Sequence, residues 1–167
     1  IAAAMVLRVA NADVLPYDYV EFARTMRRYL PPIDKSVADH HWNVSTTALR
    51  SAIDHLEREA TSFATVRDSA LASGPNRAAV EHANQALMRV ERALTRPEGL
   101  RTRPWFRSLV YVADENNGYA NMPLPSVNEA IRANDERLTK AEVDDLAARF
   151  ERAAQAAADA RDALRSR

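Results

Sequence analysis

From Val143 to Leu164 the apolar residues Val143, Leu146, Phe150, Ala153, Ala157, Ala160 and Leu164 recur three or four positions apart. Residues at that spacing stack on one face of an α-helix, whereas a strand alternates its faces every second residue. The segment must therefore be a helix that buries one side, and its alanines allow a neighbouring helix to approach closely. Thr139 and Glu142 fit a capping box at its start, in which hydroxyl and carboxylate satisfy free backbone N–H groups.

The same period recurs along the chain. Leu49, Ile53, Leu56, Ala60, Phe63 and Ala70 form a stripe that begins near Thr46 or Thr47 and stops at Gly74-Pro75-Asn76. Val80, Ala83, Leu87, Val90 and Leu94 form the next, ended by Pro97 and Gly99, and the two helices are predicted to form an antiparallel hairpin. Asp18 can cap a helix that carries Phe22, Met26 and Tyr29; Pro31-Pro32 interrupts it before a further turn or two through Trp42. Ser126 starts a short helix through Val127, Ala130 and Ile131. With only 3 glycines in 167 residues and many alanines, which lose no side-chain entropy in a helix, the predicted fold is all-α. The expected architecture is a four-helix bundle of up-and-down type with one long crossover loop, residues 95–125. That loop carries Pro97, Pro104, Pro123 and Pro125, yet Trp105, Phe106, Leu109, Val110, Tyr111 and Tyr119 are too apolar for a solvated linker, so it is expected to be ordered.

Composition narrows the function. A chain of 167 residues suits one domain, and at that size roughly 70% of the unfolded surface can be buried. Lys+Arg and Asp+Glu are both 23, which argues against nucleic acid or an anionic membrane as partner. With no cysteine there is no disulfide framework, thiolate metal site or cysteine nucleophile. The stretch from Ile1 to Val6 is too short for a membrane span or a signal peptide, and a first residue other than methionine reads as a piece of a longer chain.

Motifs of known chemistry are lacking. His40, His41, His55 and His82 occur in neither HExxH nor Glu-x-x-His spacing, and they read as surface or interface histidines. There is no GxSxG, Walker or dinucleotide-binding glycine pattern. Asp144-Asp145 and Asp114-Glu115 read as solvated charge rather than acid–base dyads. Arg101, Arg103 and Arg107, which surround Pro104-Trp105-Phe106, either present guanidinium groups to an anion or are paired surface ions.

One set of motifs is more specific. The run Leu87 to Leu94, then Gly99-Leu100, Arg103-Pro104-Trp105-Phe106-Arg107, Val110-Tyr111, Asn117-Gly118-Tyr119-Ala120, Pro125 and Glu129-Ala130, resembles in order and spacing the glutamate carboxypeptidase II and transferrin receptor family. Ala10-Asn11 and Val14-Leu15-Pro16-Tyr17-Asp18 resemble the lead-in to that family's C-terminal helical domain. The resemblance covers nearly the whole chain. It implies that residues 1–15, with an opening helix from Ile1 to Asn11, are the tail end of an upstream peptidase-like domain. Residues 16–167 are then a transferrin-receptor-like helical dimerisation domain.

The same resemblance implies a parent that is a zinc-dependent, di-metal exopeptidase, with zinc ligands and catalytic glutamate upstream of Ile1 and no catalytic residue, metal ligand or cofactor in this chain. Expected partners are a second copy of the chain, the upstream domain and, in the parent, a peptide substrate, with no membrane contact from this segment; the expected location is extracytoplasmic. The crossover loop would complete the substrate pocket through Asn117, Gly118 and Tyr119. Glutamate-specific members carry Asn-Lys-Tyr there, and Gly118 in place of that lysine removes a charge-assisted bond to a substrate carboxylate. Asn117 and Tyr119 can serve either as substrate ligands or as loop-stabilising hydrogen-bond partners. Two other readings stand beside this one: a domain of a non-catalytic receptor-like or scaffold homologue, and a free-standing helical interaction module. Exposed apolar residues such as Trp42, Trp105 or Leu124 are candidates for the dimer interface.

Overall fold

The computed structural model describes residues 2–165. Ile1, the first residue of the expected opening helix, and Ser166-Arg167 at the end of the expected helical domain lie outside the described residues. Among the described residues there are seven helices: α1 (Ala2–Ala10), α2 (Tyr19–Arg28), α3 (Leu30–Asp39), α4 (Thr47–Ser73), α5 (Arg77–Ala93), α6 (Pro125–Arg132) and α7 (Glu136–Arg165). Strands β1 (Tyr111–Ala113) and β2 (Asn121–Pro123) form a small antiparallel hairpin inside the crossover loop. The helical bundle is as expected.

Local chemistry sets the helix ends. The Asp18 carboxylate accepts the Glu21 N–H at 3.0 Å and caps α2. Pro31 and Pro32 occupy the first turn of α3, where a missing N–H costs little, so the chain breaks at Tyr29 and restarts at once. Gly74, in the left-handed region at φ 78°, ends α4, and the Asn76 side chain caps α5. The start of α7 differs from the capping box read at Thr139 and Glu142. Asp135 accepts the Leu138 N–H at 2.8 Å one turn earlier, and both Thr139 and Glu142 are buried inside the helix. Asn134, left-handed at φ 54°, turns the chain just ahead of Asp135, so the earlier cap takes the free N–H groups.

α7 is the centre of the bundle. Most of the predicted stripes on α4 and α5 is buried, with Leu49, Ile53, Leu56, Leu87 and Val90 excluded from solvent, while Ala70 and Val80 are only partly covered. The two helices nevertheless do not form the expected direct hairpin pair: each packs along α7, which lies between them. Beyond its predicted stripe, α7 buries Ala147, Ala154, Ala156 and Ala158, so small residues on a second side let it fit between two neighbours. α2 packs on the outer side of α4 and α6 packs on α7. Phe22 stacks on Phe150 with ring centroids 6.4 Å apart, which joins the α2 layer to the α7 core.

Candidate functional site

The crossover loop is ordered by its own backbone. Leu109 N–H donates to Leu94 O at 3.0 Å, Arg96 N–H to Arg107 O at 2.8 Å and Leu100 N–H to Phe106 O at 2.9 Å, so residues 95–108 fold back as a closed excursion. Leu100 and Leu109 are fully buried and pin it to the bundle. Gly99 makes a close turn: its φ is 73°, and a Cβ there would sit 1.9 Å from the Pro104 carbonyl oxygen. Only glycine tolerates that approach.

The excursion leads into the hairpin. Val112 and Met122, paired across it, are buried, while Tyr111 and Asn121 face outward, the alternation that a half-buried ribbon requires. Tyr111 donates its hydroxyl to the Tyr29 hydroxyl at 3.1 Å, and burial and then this bond push the Tyr111 phenol above its ordinary pKa. Asn117, Gly118 and Tyr119 stand side by side at the tip, all exposed. Asp114 Oδ1 accepts the N–H groups of Asn116 at 2.8 Å and Asn117 at 3.2 Å, and Asn117 Oδ1 in turn accepts the Tyr119 N–H at 3.2 Å. The side-chain oxygen of Asn117 therefore shapes the loop, while the Tyr119 side chain is fully solvent-exposed. Gly118 has no positive φ and a Cβ would meet nothing within 4 Å, so backbone geometry does not demand glycine there.

Two arginines root this tip in α6. Arg103 donates through Nη1 to Ala113 O at 2.9 Å and through Nε to Glu129 at 3.0 Å, and Glu129 also accepts from Thr102. The Glu129 side chain is only 3% exposed and the Arg103 side chain 13%, so of the two sequence readings Arg103 fits the paired ion, though it is largely covered rather than at the surface. Arg132, one turn beyond Glu129, holds Asp114 at 2.6 Å and Glu115 at 3.4 Å. The Arg132 bond first, and the Asn116 N–H second, hold the Asp114 carboxyl down at about 2.

A depressed carboxyl pKa stabilises the fold fully above the unfolded value of about 3.9. The Asp114 contribution should accordingly be lost only as pH falls from about 4 to about 2. Amide resonances of Asn116 and Asn117 are expected to titrate with a midpoint near 2. A midpoint near 4, the ordinary aspartate range, would show that Arg132 does not hold the charge.

The second polar cluster joins the loop to α7. Arg96, 10% exposed, donates to Glu142 at 2.5 Å and Asp145 at 2.6 Å, while Arg101 reaches Glu142 at 2.9 Å and Arg149 reaches Asp145 at 2.7 Å. Burial alone would lower the Arg96 pKa, but the bonds to Glu142 and Asp145 outweigh it and raise it. Burial likewise disfavours the Asp145 anion, yet Arg149 and Arg96 hold its carboxyl below the ordinary value. The pair Asp144-Asp145 therefore divides: Asp144 meets Lys140 on the surface, and Asp145 belongs to the buried cluster.

The histidines do not converge. His40 donates its Nδ1–H to Ser36 O at 2.7 Å and stacks beside Trp42, His55 meets Glu151 at 2.7 Å, and His41 and His82 are exposed. Among the described residues no group of three or more His, Cys, Asp or Glu is placed to hold a metal ion. Of the three interface candidates, Trp105 is 72% exposed, but Trp42 is half-buried against the core and Leu124 is fully buried. Leu124 sits at φ 45° between Pro123 and Pro125, and this tight turn from β2 into α6 carries it into the core. Among the described residues no helix is long and apolar enough to cross a membrane.

The family model for the transferrin receptor-like dimerisation domain matches residues 44–158, which include α4 to α6, the crossover loop and most of α7. The chain belongs to that family. This dimerisation domain is 28% identical over 125 residues to a probable glutamate carboxypeptidase LAMP1 of Arabidopsis thaliana, covering 75% of this chain and 18% of that protein. It is 24% identical over 126 residues to a probable glutamate carboxypeptidase of Arthroderma benhamiae, covering 75% of this chain and 17% of that protein. The dimerisation domain thus spans less than a fifth of the length of these relatives. Its buried ions Arg96, Glu129 and Glu142 carry no motif that marks them in the sequence as ions of the interior. Glu142 leaves a trace, since it lies three residues after Thr139 and four before Leu146, on the core-facing stripe of a helix.

Proposed function

We propose that this dimerisation domain serves a zinc-dependent exopeptidase of the glutamate carboxypeptidase type, pairing two copies and completing the substrate pocket of an upstream catalytic domain with the hairpin tip. The observation that supports the pocket role is the tip itself: a loop held by the side chains of Asp114 and Asn117, whose Tyr119 phenol is left wholly in solvent. A hydroxyl held so can donate to a carboxylate or carbonyl once a partner covers it. On the same reading, zinc and the general base belong to the upstream domain. That domain would also cover α1, where Met5, Val6 and Leu7 are each more than 60% exposed. Pairing two copies would draw on further exposed apolar groups, among them Trp105.

The test is kinetic, in the full-length protein with a dipeptide ending in glutamate. Tyr119→Phe is expected to raise KM or lower turnover roughly tenfold, the order of one lost hydrogen bond to a charged group. Unchanged constants would remove the phenol from the site. Gly118→Lys fits the open space at the tip and should improve kcat/KM for acidic over neutral C-terminal residues. An unaltered ratio would show that the tip does not face the substrate side chain.

A further inference from the structure

The tip residues are exposed, yet the two backbone positions beneath them are anchored to a single helix. Ala113 ends β1 and Asp114 begins the turn. Ala113 O is held by Arg103, which Glu129 of α6 fixes in place, and the Asp114 carboxylate is held by Arg132 of α6. Glu129 and Arg132 are three residues apart, so they stand on the same side of α6, one turn from each other. α6 is itself seated on α7, with Val127 and Ala130 buried. From Asp114 the bonds continue upward, to the N–H groups of Asn116 and Asn117 and from Asn117 to Tyr119.

We propose that α6 sets the conformation of the hairpin tip, with Arg132 as a positioning residue that acts through Asp114 on the Asn117 to Tyr119 segment. A seven-position loop held only at its ends would sample many conformations, and ordering it on binding would cost affinity. Fixing Asp114 from below removes that cost, because the carboxylate that nucleates the turn cannot rotate away. The Arg132 guanidinium meets both Asp114 and Glu115, so it holds the loop and is not offered to a ligand. The consequence for substrate rests on the pocket-completing reading above; the clamp itself does not.

Two measurements separate these claims. In this chain, hydrogen exchange is followed at the amides of Asn116, Asn117, Tyr119 and Ala120 in wild type, Arg132→Ala and Arg132→Lys. Arg132→Ala is expected to speed exchange at these amides about tenfold, and Arg132→Lys, which keeps the charge, to restore much of the protection. Amides of α4 and α7 should not change, since Arg132 lies at the surface. Wild-type exchange in Arg132→Ala would overturn the proposal. In the full-length protein with a dipeptide ending in glutamate, Arg132→Ala should raise KM severalfold with little change in kcat, as expected for a lost ordering effect on binding. If Tyr119→Ala raises KM and Arg132→Ala does not, the clamp is overturned as a positioning device while the pocket role stands. If Tyr119→Ala leaves KM unchanged, the pocket role falls, and the clamp stands or falls on the exchange rates alone.

Discussion

Phe150→Ala is expected to destabilise the domain by about 3–5 kcal/mol, because a ring wholly inside a packed core leaves a cavity that its neighbours fill only in part. Phe150 lies on α7 with no solvent exposure and stacks on Phe22 of α2, so its removal weakens the contact between layers as well as the core itself. For a chain of this size each kcal/mol moves the melting midpoint by about 2–4 °C, which predicts a fall of roughly 10 °C. Arg152→Ala, on the same helix, is the control: its side chain is exposed, and its loss should leave the midpoint nearly in place. A small shift for Phe150→Ala would mean that α7 does not hold the central place between α4 and α5.

Glu142→Ala should cost a similar amount for an electrostatic reason. The Glu142 side chain is 3% exposed and that of Arg96 10%, and Glu142 also receives Arg101. Removing the glutamate leaves a buried guanidinium with only Asp145 to answer it, a loss of about 3–5 kcal/mol by analogy with other broken buried pairs. Replacing both partners, as Arg96→Met with Glu142→Leu, should recover most of that, since neither charge is then left in the interior. Thermal unfolding of the two variants provides the check. If the double variant were as unstable as the single one, the pair would be contributing more than the avoidance of an unmatched charge.

Much of the architecture is legible because helical period is a local property. Leu49 to Phe63, Val80 to Leu94 and Val143 to Leu164 each announce a buried face without reference to anything distant. The Asp18 cap and the Pro31-Pro32 break can be read for the same reason: each acts on N–H groups within a few residues of itself. Order in the crossover loop follows from its aromatic and aliphatic content, and Leu100 and Leu109 are indeed buried. The hairpin within it does not, because each of its strands is only three residues long, too short for alternation to show.

The site is legible only in part. Asn117, Gly118 and Tyr119 emerge from family resemblance, and they do share one exposed tip. Arg103 stands out in the sequence only as an anion-facing or paired surface ion, and Arg132 looks like any other arginine in a sequence with balanced charge. Their partners, Glu129 and Asp114, are 26 and 18 residues away and reach them only once α6 has folded back on the loop. The Thr139–Glu142 capping box shows the opposite failure: a local motif matches, but a competing cap at Asp135 and a tertiary partner at Arg96 give those residues another role.

By itself the sequence determined that the chain is a helical bundle, where its helices break and which face of each is apolar, because these follow from backbone sterics and from burial at a fixed period. Tertiary structure decided that α7 stands between α4 and α5, that Leu124 is core and that arginines from the loop and α6 anchor the tip. Those outcomes depend on which surfaces meet, and a charge paired across tens of residues leaves no period in the chain to announce it.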